Sequence, residues 1–221
     1  MKLARALGFA AAAVLATAPV VAQTPAPTVS GVPGGPASGV SVSNALAPTE
    51  ALAELRQRGI VQGGGPPALA APTSQGQFLT LIDRAVPTAI TPPPTATPSR
   101  KYYAMSLLRA QAKGILSGIP PQPEQPISRE DAALLAIRQA YVERVIPGGA
   151  RPRVPPAIAD IDQISPRARP AVVQAVELGL ITTTRDNRFR PKDPLTYGEA
   201  VVITAQLRRA ADIKAEGAGA R

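Results

Sequence analysis

A helical phrase recurs three times along this chain, and no single copy of it can bury its own apolar face. The first copy reads TEALAELRQRGIV, QGGGPPALAAPT, SQGQFLTLIDRAV. The second reads RKYYAMSLLRAQAKGIL, SGIPPQPEQPI, SREDAALLAIRQAYV, and the third SPRARPAVVQAVELGLI, TTTRDNRFRPKDPL, TYGEAVVITAQLRRA. Each has an amphipathic stretch closed by glycine and an aliphatic residue: Gly59-Ile60, Gly114-Ile115 and Gly179-Leu180. A loop and a polar pair before a second apolar stretch follow: Ser74 with Gln77, Ser128 with Asp131, Thr196 with Glu199. The glycine-to-cap separations are 15, 14 and 17 residues. Glycine after a helix accepts left-handed dihedrals, and a hydroxyl three residues before Glu or Gln caps a helix start, so the phrase spells helix, stop, loop, capped helix.

The apolar positions align between copies. Leu52, Leu107 and Val172 correspond in the first helix, as do Leu55, Ala110 and Ala175. In the second helix Phe78, Ala132 and Ala200 correspond, as do Leu81, Leu135 and Ile203. Helices this short are marginal alone, and three copies sharing one core solve the problem. The expected fold class is all-α, three helix-loop-helix repeats. With three Phe, four Tyr and no Trp, the core must rest on Ala, Leu, Ile and Val.

Proline and composition divide the rest. Residues 1–22 read as a signal peptide: Lys2 and Arg5, an apolar stretch from Ala6 to Ala18, and Val20-Val21-Ala22 before Gln23. A flexible Pro/Gly/Ser-rich spacer is expected at 23–48, then the first repeat at 49–86, a Pro/Thr linker at 87–98 and the second repeat at 99–145. A Pro-rich linker at 146–156, the third repeat at 157–210 and a mobile tail at 211–221 complete the expected division. No second apolar run is long enough to span a bilayer, so a peripheral rather than transmembrane protein is expected.

Charge and missing residue types narrow the function. The chain carries 24 basic and 15 acidic residues, a net charge of +9, and loss of Lys2 and Arg5 on processing would leave +7. Such a surface favours polyanions. With no Cys and no His there is no disulfide, thiol nucleophile, imidazole base or ordinary zinc site. Asp160 and Asp162 have carboxylate-pair spacing, and Gly63-Gly64-Gly65 lacks the lysine of a phosphate loop. No nucleophile, base and orienting group converge, so neither catalysis nor a metal or cofactor is expected. Dispersed basic residues and few aromatics argue against nucleic acid.

The stretch NRFRPKDPLTYGEAVVI, residues 187–203, aims the cations Arg188, Arg190 and Lys192 at the start of a capped helix. The whole third copy, from Asp160-Ile161 through Gly179-Leu180 and Phe189-Arg190-Pro191 to Thr196-Tyr197-Gly198-Glu199, resembles the S-layer homology domain. GILSG at 114–118 and Ser128-Arg129-Glu130-Asp131 carry the likeness into the second copy, and spacing alone carries it into the first. The resemblance implies three repeats packed as a pseudo-threefold helical unit, exported to the cell envelope (wall, periplasm or cell surface). It implies binding of acidic, peptidoglycan-linked polysaccharide in grooves between repeats, with the motif arginine on the anion.

In this sequence only Arg129 stands at that arginine position; Gln75 and Tyr197 replace it in the other copies. A helix N-terminus with free N–H groups is an anion site, and an arginine there adds a bidentate fork. The candidate glycan-binding residues are therefore Arg129, Ser128, Asp131, Tyr197, Thr196, Glu199, Arg188, Arg190 and Gln75. Arg129 is either a ligand contact or an exposed arginine on a helix start; as a ligand contact, Arg129→Ala should weaken binding to wall material and leave thermal unfolding nearly unchanged. The alternative function is a subunit of a surface-layer or outer-membrane protein complex that uses the repeats for protein contacts.

Overall fold

Each stop glycine ends a helix in the left-handed region, with φ of 68° at Gly59, 71° at Gly114 and 67° at Gly179. The residue after each glycine donates its N–H back to the same aligned position: Ile60 to Leu55, Ile115 to Ala110 and Leu180 to Ala175, all at 2.9 Å. That six-to-one bond closes the helix and satisfies a carbonyl the helix would leave bare. The computed structural model describes residues 46–62, 67–86, 101–146 and 156–219, all within one contact unit, Ser41–Arg221. The signal peptide expected at 1–22 and the linker at 87–98 lie outside the described residues, as do 23–45 of the spacer and 147–155 of the Pro-rich linker.

Among the described residues the regular elements are α1 (Pro48–Gln57), α2 (Gln75–Ala85), α3 (Ala104–Ala112), α4 (Arg129–Val142), a 3-10 turn at Ile161–Gln163, α5 (Arg169–Glu177) and α6 (Tyr197–Gly219). The class is all-α. None of these helices is long and apolar enough to cross a membrane. The capped starts form as expected: Ser74 and Gln77 make a reciprocal capping box. Ser128 Oγ accepts from Asp131 N and Thr196 Oγ1 from Glu199 N, each at 3.2 Å.

The opening helices do not pack on their own partners. Instead α1 packs on α6, α3 on α2 and α5 on α4, while α2, α4 and α6 touch one another pairwise. The residues just before the three caps close a ring of backbone hydrogen bonds. Thr73 donates to Leu195 (2.8 Å), Leu195 to Ile127 (2.8 Å) and Ile127 to Thr73 (3.0 Å). The aligned apolar positions line the core; all are buried except Leu107, which is partly buried and still packs against it.

The boundary expected at 210 falls inside a helix. α6 continues to Gly219 through ADIKAEGAG, which has no proline and several strong helix formers. Asp212 bonds Arg58 and Arg208, each at 2.8 Å, and Lys214 donates to the Glu143 carbonyl at 2.9 Å. Residues 211–214 are thus tied to the core by contacts with residues far away in sequence.

Candidate functional site

The first residues of α2, α4 and α6 are driven into neighbouring loops. Gln75 N donates to Gln125 O (2.9 Å) and Gly76 N to Pro123 O (2.8 Å). Arg129 N donates to Asp193 O (3.0 Å) and Glu130 N to Pro191 O (3.1 Å). Tyr197 N donates to Ala71 O (2.8 Å) and Gly198 N to Leu69 O (2.7 Å). The approach is closest at Gly76, where a Cβ would stand 2.8 Å from the Pro123 carbonyl oxygen and 2.8 Å from Tyr103 Cγ. These N–H groups, expected to be open to an anion, are spent on loop carbonyls, and the third N–H of each helix is taken by its cap.

The three side chains at the motif position share a fate. Gln75 is buried, its amide donating to Pro120 O (3.1 Å) and accepting from Gln122 N (2.7 Å). Tyr197 is buried, and that burial pushes its phenol above the ordinary value. Arg129 is 6% exposed, not the solvent-facing arginine the sequence allowed. Its Nε donates to Phe189 O (2.7 Å), its Nη2 to Thr182 O (3.0 Å), and its Nη1 pairs with Glu199. The guanidinium lies over the Phe189 ring, 5.1 Å from the centroid. Burial pulls its pKa below the ordinary arginine value, with Asp193 opposing the shift.

Around Arg129 opens a groove of about 190 Å³ lined by Thr182, Thr183, Thr184, Arg190, Asp193, Thr196 and Glu199. Glu199 links the cap to the arginine: one oxygen meets Arg129, while Oε2 accepts from Thr196 N (2.9 Å) and Thr196 Oγ1 (2.8 Å). Arg190 offers the open charge. Its side chain is 59% exposed, and its nearest carboxylate, Asp193, is 3.9 Å away. Its backbone takes φ 57°, an arrangement held by Asp160, whose carboxylate accepts from Phe189 N (2.7 Å) and Arg190 N (2.8 Å). The Asp160-Ile161 turn therefore works as a loop clamp.

Four of the candidate residues, Arg129, Arg190, Thr196 and Glu199, thus meet at one groove. Arg188 does not; it pairs with Asp186 (3.1 Å) and lines an adjoining concavity with Asp160, Asp186 and Lys192, which shares Arg190 and Asp193 with the groove. Ser128 donates to Asp131 Oδ2 (3.0 Å), and Asp131 Oδ1 pairs with Arg167 (2.8 Å), away from the groove lining. Gln75 and Tyr197 are plugs in other junctions. Sequence reasoning missed the Thr182–Thr184 run and Asp193, although both lie in the same loop as Arg190. It also missed Arg84 and Arg138, six residues beyond Phe78 and Ala132, which donate to the carbonyls of Ile60 (3.2 Å) and Ile115 (2.8 Å) after the stop glycines.

A larger concavity of about 330 Å³ lies among Arg58, Asp83, Arg84 and Arg109. Its charges are largely matched: Arg58 meets Glu54 (3.3 Å) and Asp212 (2.8 Å), and Arg109 meets Asp83 (2.9 Å). Arginines near the last turns of α1, α2 and α3 also complement the helix dipoles. Size alone does not make it the better candidate.

No curated protein matches the chain. Residues 157–201, which hold the Asp160 clamp, α5, the Thr182–Arg190 loop and the start of α6, match the family model described as the S-layer homology domain.

Proposed function

We propose that this chain is an exported cell-envelope protein that binds acidic, peptidoglycan-linked polysaccharide, and that the Arg129–Arg190 groove is where it does so. The matched segment supports association with the cell surface and its wall polymers, since S-layer homology domains anchor to cell-wall polysaccharide. The observation that carries the site is the joining, in one open groove, of an exposed guanidinium on Arg190 with the Thr182–Thr184 and Thr196 residues beside buried Arg129. Hydroxyls suit sugar hydroxyls, and a planar guanidinium suits a carboxylate.

We further propose that the three segments are repeats around a pseudo-threefold axis. The closed ring through Thr73, Leu195 and Ile127 supports this, as does the order in which each opening helix packs on the capped helix of another segment. On this reading the grooves are unequal. Gln75 and Tyr197 bring no charge to their junctions, so the ligand uses the second-to-third junction.

Co-sedimentation of the protein with sacculi of the source cells, before and after the acidic polysaccharide is stripped, tests the reading. Binding that vanishes on stripping supports it. Equal binding to both preparations assigns the ligand to peptidoglycan itself. A second reading, docking in an envelope protein complex, draws on Tyr102, 59% exposed at the start of the second segment. It predicts no binding to sacculi and a fixed-stoichiometry partner after mild detergent extraction.

A further inference from the structure

The Arg129 groove carries two guanidinium groups, Arg129 and Arg190, and two carboxylates, Asp193 and Glu199. An acidic sugar entering it finds no surplus positive charge until one acid gives way. The two acids are not equivalent. Asp193 stands 3.9 Å from Arg190 in a pair more than half exposed on both sides, a contact weakened by water and salt. Glu199 pairs with a guanidinium whose side chain is only 7% exposed, where charge counts for more.

The partners of Arg129 differ as well. Phe189 O and Thr182 O are main-chain acceptors fixed by the loop. Glu199 is a side chain and 36% exposed, so it alone among the three partners can withdraw without moving the backbone. Its second oxygen has an anchor of its own on Thr196 N and Oγ1. The Arg129 contact can break while the helix cap stays made.

We propose that Glu199 occupies the position of a ligand carboxylate on Arg129, and that an acidic glycan binds by exchanging its own carboxylate for that of Glu199. This rests on the acidic-polysaccharide reading above and adds a selectivity device to it. A neutral sugar cannot replace the charge that Arg129 would lose, so the groove rejects it. A carboxylate replaces like with like, and the glycan gains only the surplus of its other contacts, which keeps each binding event reversible.

The test compares wild type, Glu199→Gln and Asp193→Asn in co-sedimentation with polymer-bearing and stripped sacculi, with a thermal melt of each variant. Gln removes the competing charge and keeps one acceptor oxygen, which can serve Thr196 N as the cap requires or Arg129, but not both. Binding of Glu199→Gln to polymer-bearing sacculi should tighten on the order of tenfold, that of Asp193→Asn distinctly less, with stripped sacculi unaffected. If Glu199→Gln does not fold, Glu199→Met keeps the backbone cap to Thr196 Oγ1 and should show the same gain. Unchanged or weaker binding by a folded Glu199 variant, with wild type binding well, overturns the exchange and leaves the glycan reading standing. An equal gain from Asp193→Asn also overturns it, because the effect is then a diffuse field. Failure of all variants and of wild type to bind sinks the glycan reading and the exchange together.

Discussion

Replacing Arg129 with alanine should destabilise the protein, contrary to what its place in the sequence suggests. The Nε bond to Phe189 O, 2.7 Å long and buried, is charge-assisted and stands for about 1.5–3 kcal/mol. The guanidinium over the Phe189 ring adds roughly 0.5–2 kcal/mol. Thr182 is exposed and Glu199 partly so, and water can take over their lost bonds at little cost. The sum is about 3 kcal/mol. For a domain of this size that lowers Tm by roughly 6–12 °C, readable by circular dichroism at a fixed heating rate. A shift below about 2 °C would mean that Arg129 spends its time in solvent, contrary to the buried contacts with Phe189. Loss of wall binding in this variant therefore mixes site and scaffold.

Arg190 gives a cleaner probe. Arg190→Asn tolerates the positive φ of 57° and removes only an exposed charge, so binding to polymer-bearing sacculi should fall severalfold with Tm within about 2 °C of wild type. Unchanged binding would remove Arg190 from the site. Thr73 sits where the other segments have Ile127 and Leu195, and its buried hydroxyl has no hydrogen-bond partner. Thr73→Val keeps the shape and the backbone ring, so it should raise stability by about 1 kcal/mol and Tm by roughly 2–4 °C; a lower Tm would count against it.

The Glu130 carboxyl is pushed up by burial, but bonds from Lys192 (2.5 Å) and from Ser165 Oγ and N (2.7 and 3.0 Å) outweigh this and hold it below its ordinary 4.5. A depressed carboxyl stabilises fully above its unfolded value and loses that contribution as pH falls through the folded one. Melts between pH 6 and pH 2 should therefore decline more steeply below about 4.5 for wild type than for Glu130→Gln, and parallel curves would contradict the assignment.

Local chemistry was legible in the sequence. The glycine stops and the three caps depend on residues within one or two turns, so Gly59, Gly114 and Gly179 could be placed without the fold. The alignment of Leu55, Ala110 and Ala175 also followed, because one backbone carbonyl at each position closes the helix. The fate of Arg129 was not legible: its partners lie 53, 60 and 70 residues further on, and nothing local separates an open fork from a plug. The same is true of the helix N–H groups, offered to an anion by the sequence and taken by loop carbonyls in the fold. The candidate site as read from sequence was a helix start; the groove we propose in its place is a loop surface held by Asp160. Continuation of α6 past 210 was missed because the segment looks like a small polar tail, and only Arg58 and Glu143, distant in sequence, show what it rests on.

If an acidic wall polymer is gripped at the second-to-third junction, amide chemical-shift mapping will register it there. Titrating isotope-labelled protein with solubilised acidic polysaccharide should shift the amides of Thr182, Thr183, Thr184, Arg190, Asp193 and Glu199 together, saturably, and less at high salt. Saturable shifts confined to the Arg58–Arg109 concavity or to Tyr102, or no shifts at all, would contradict it.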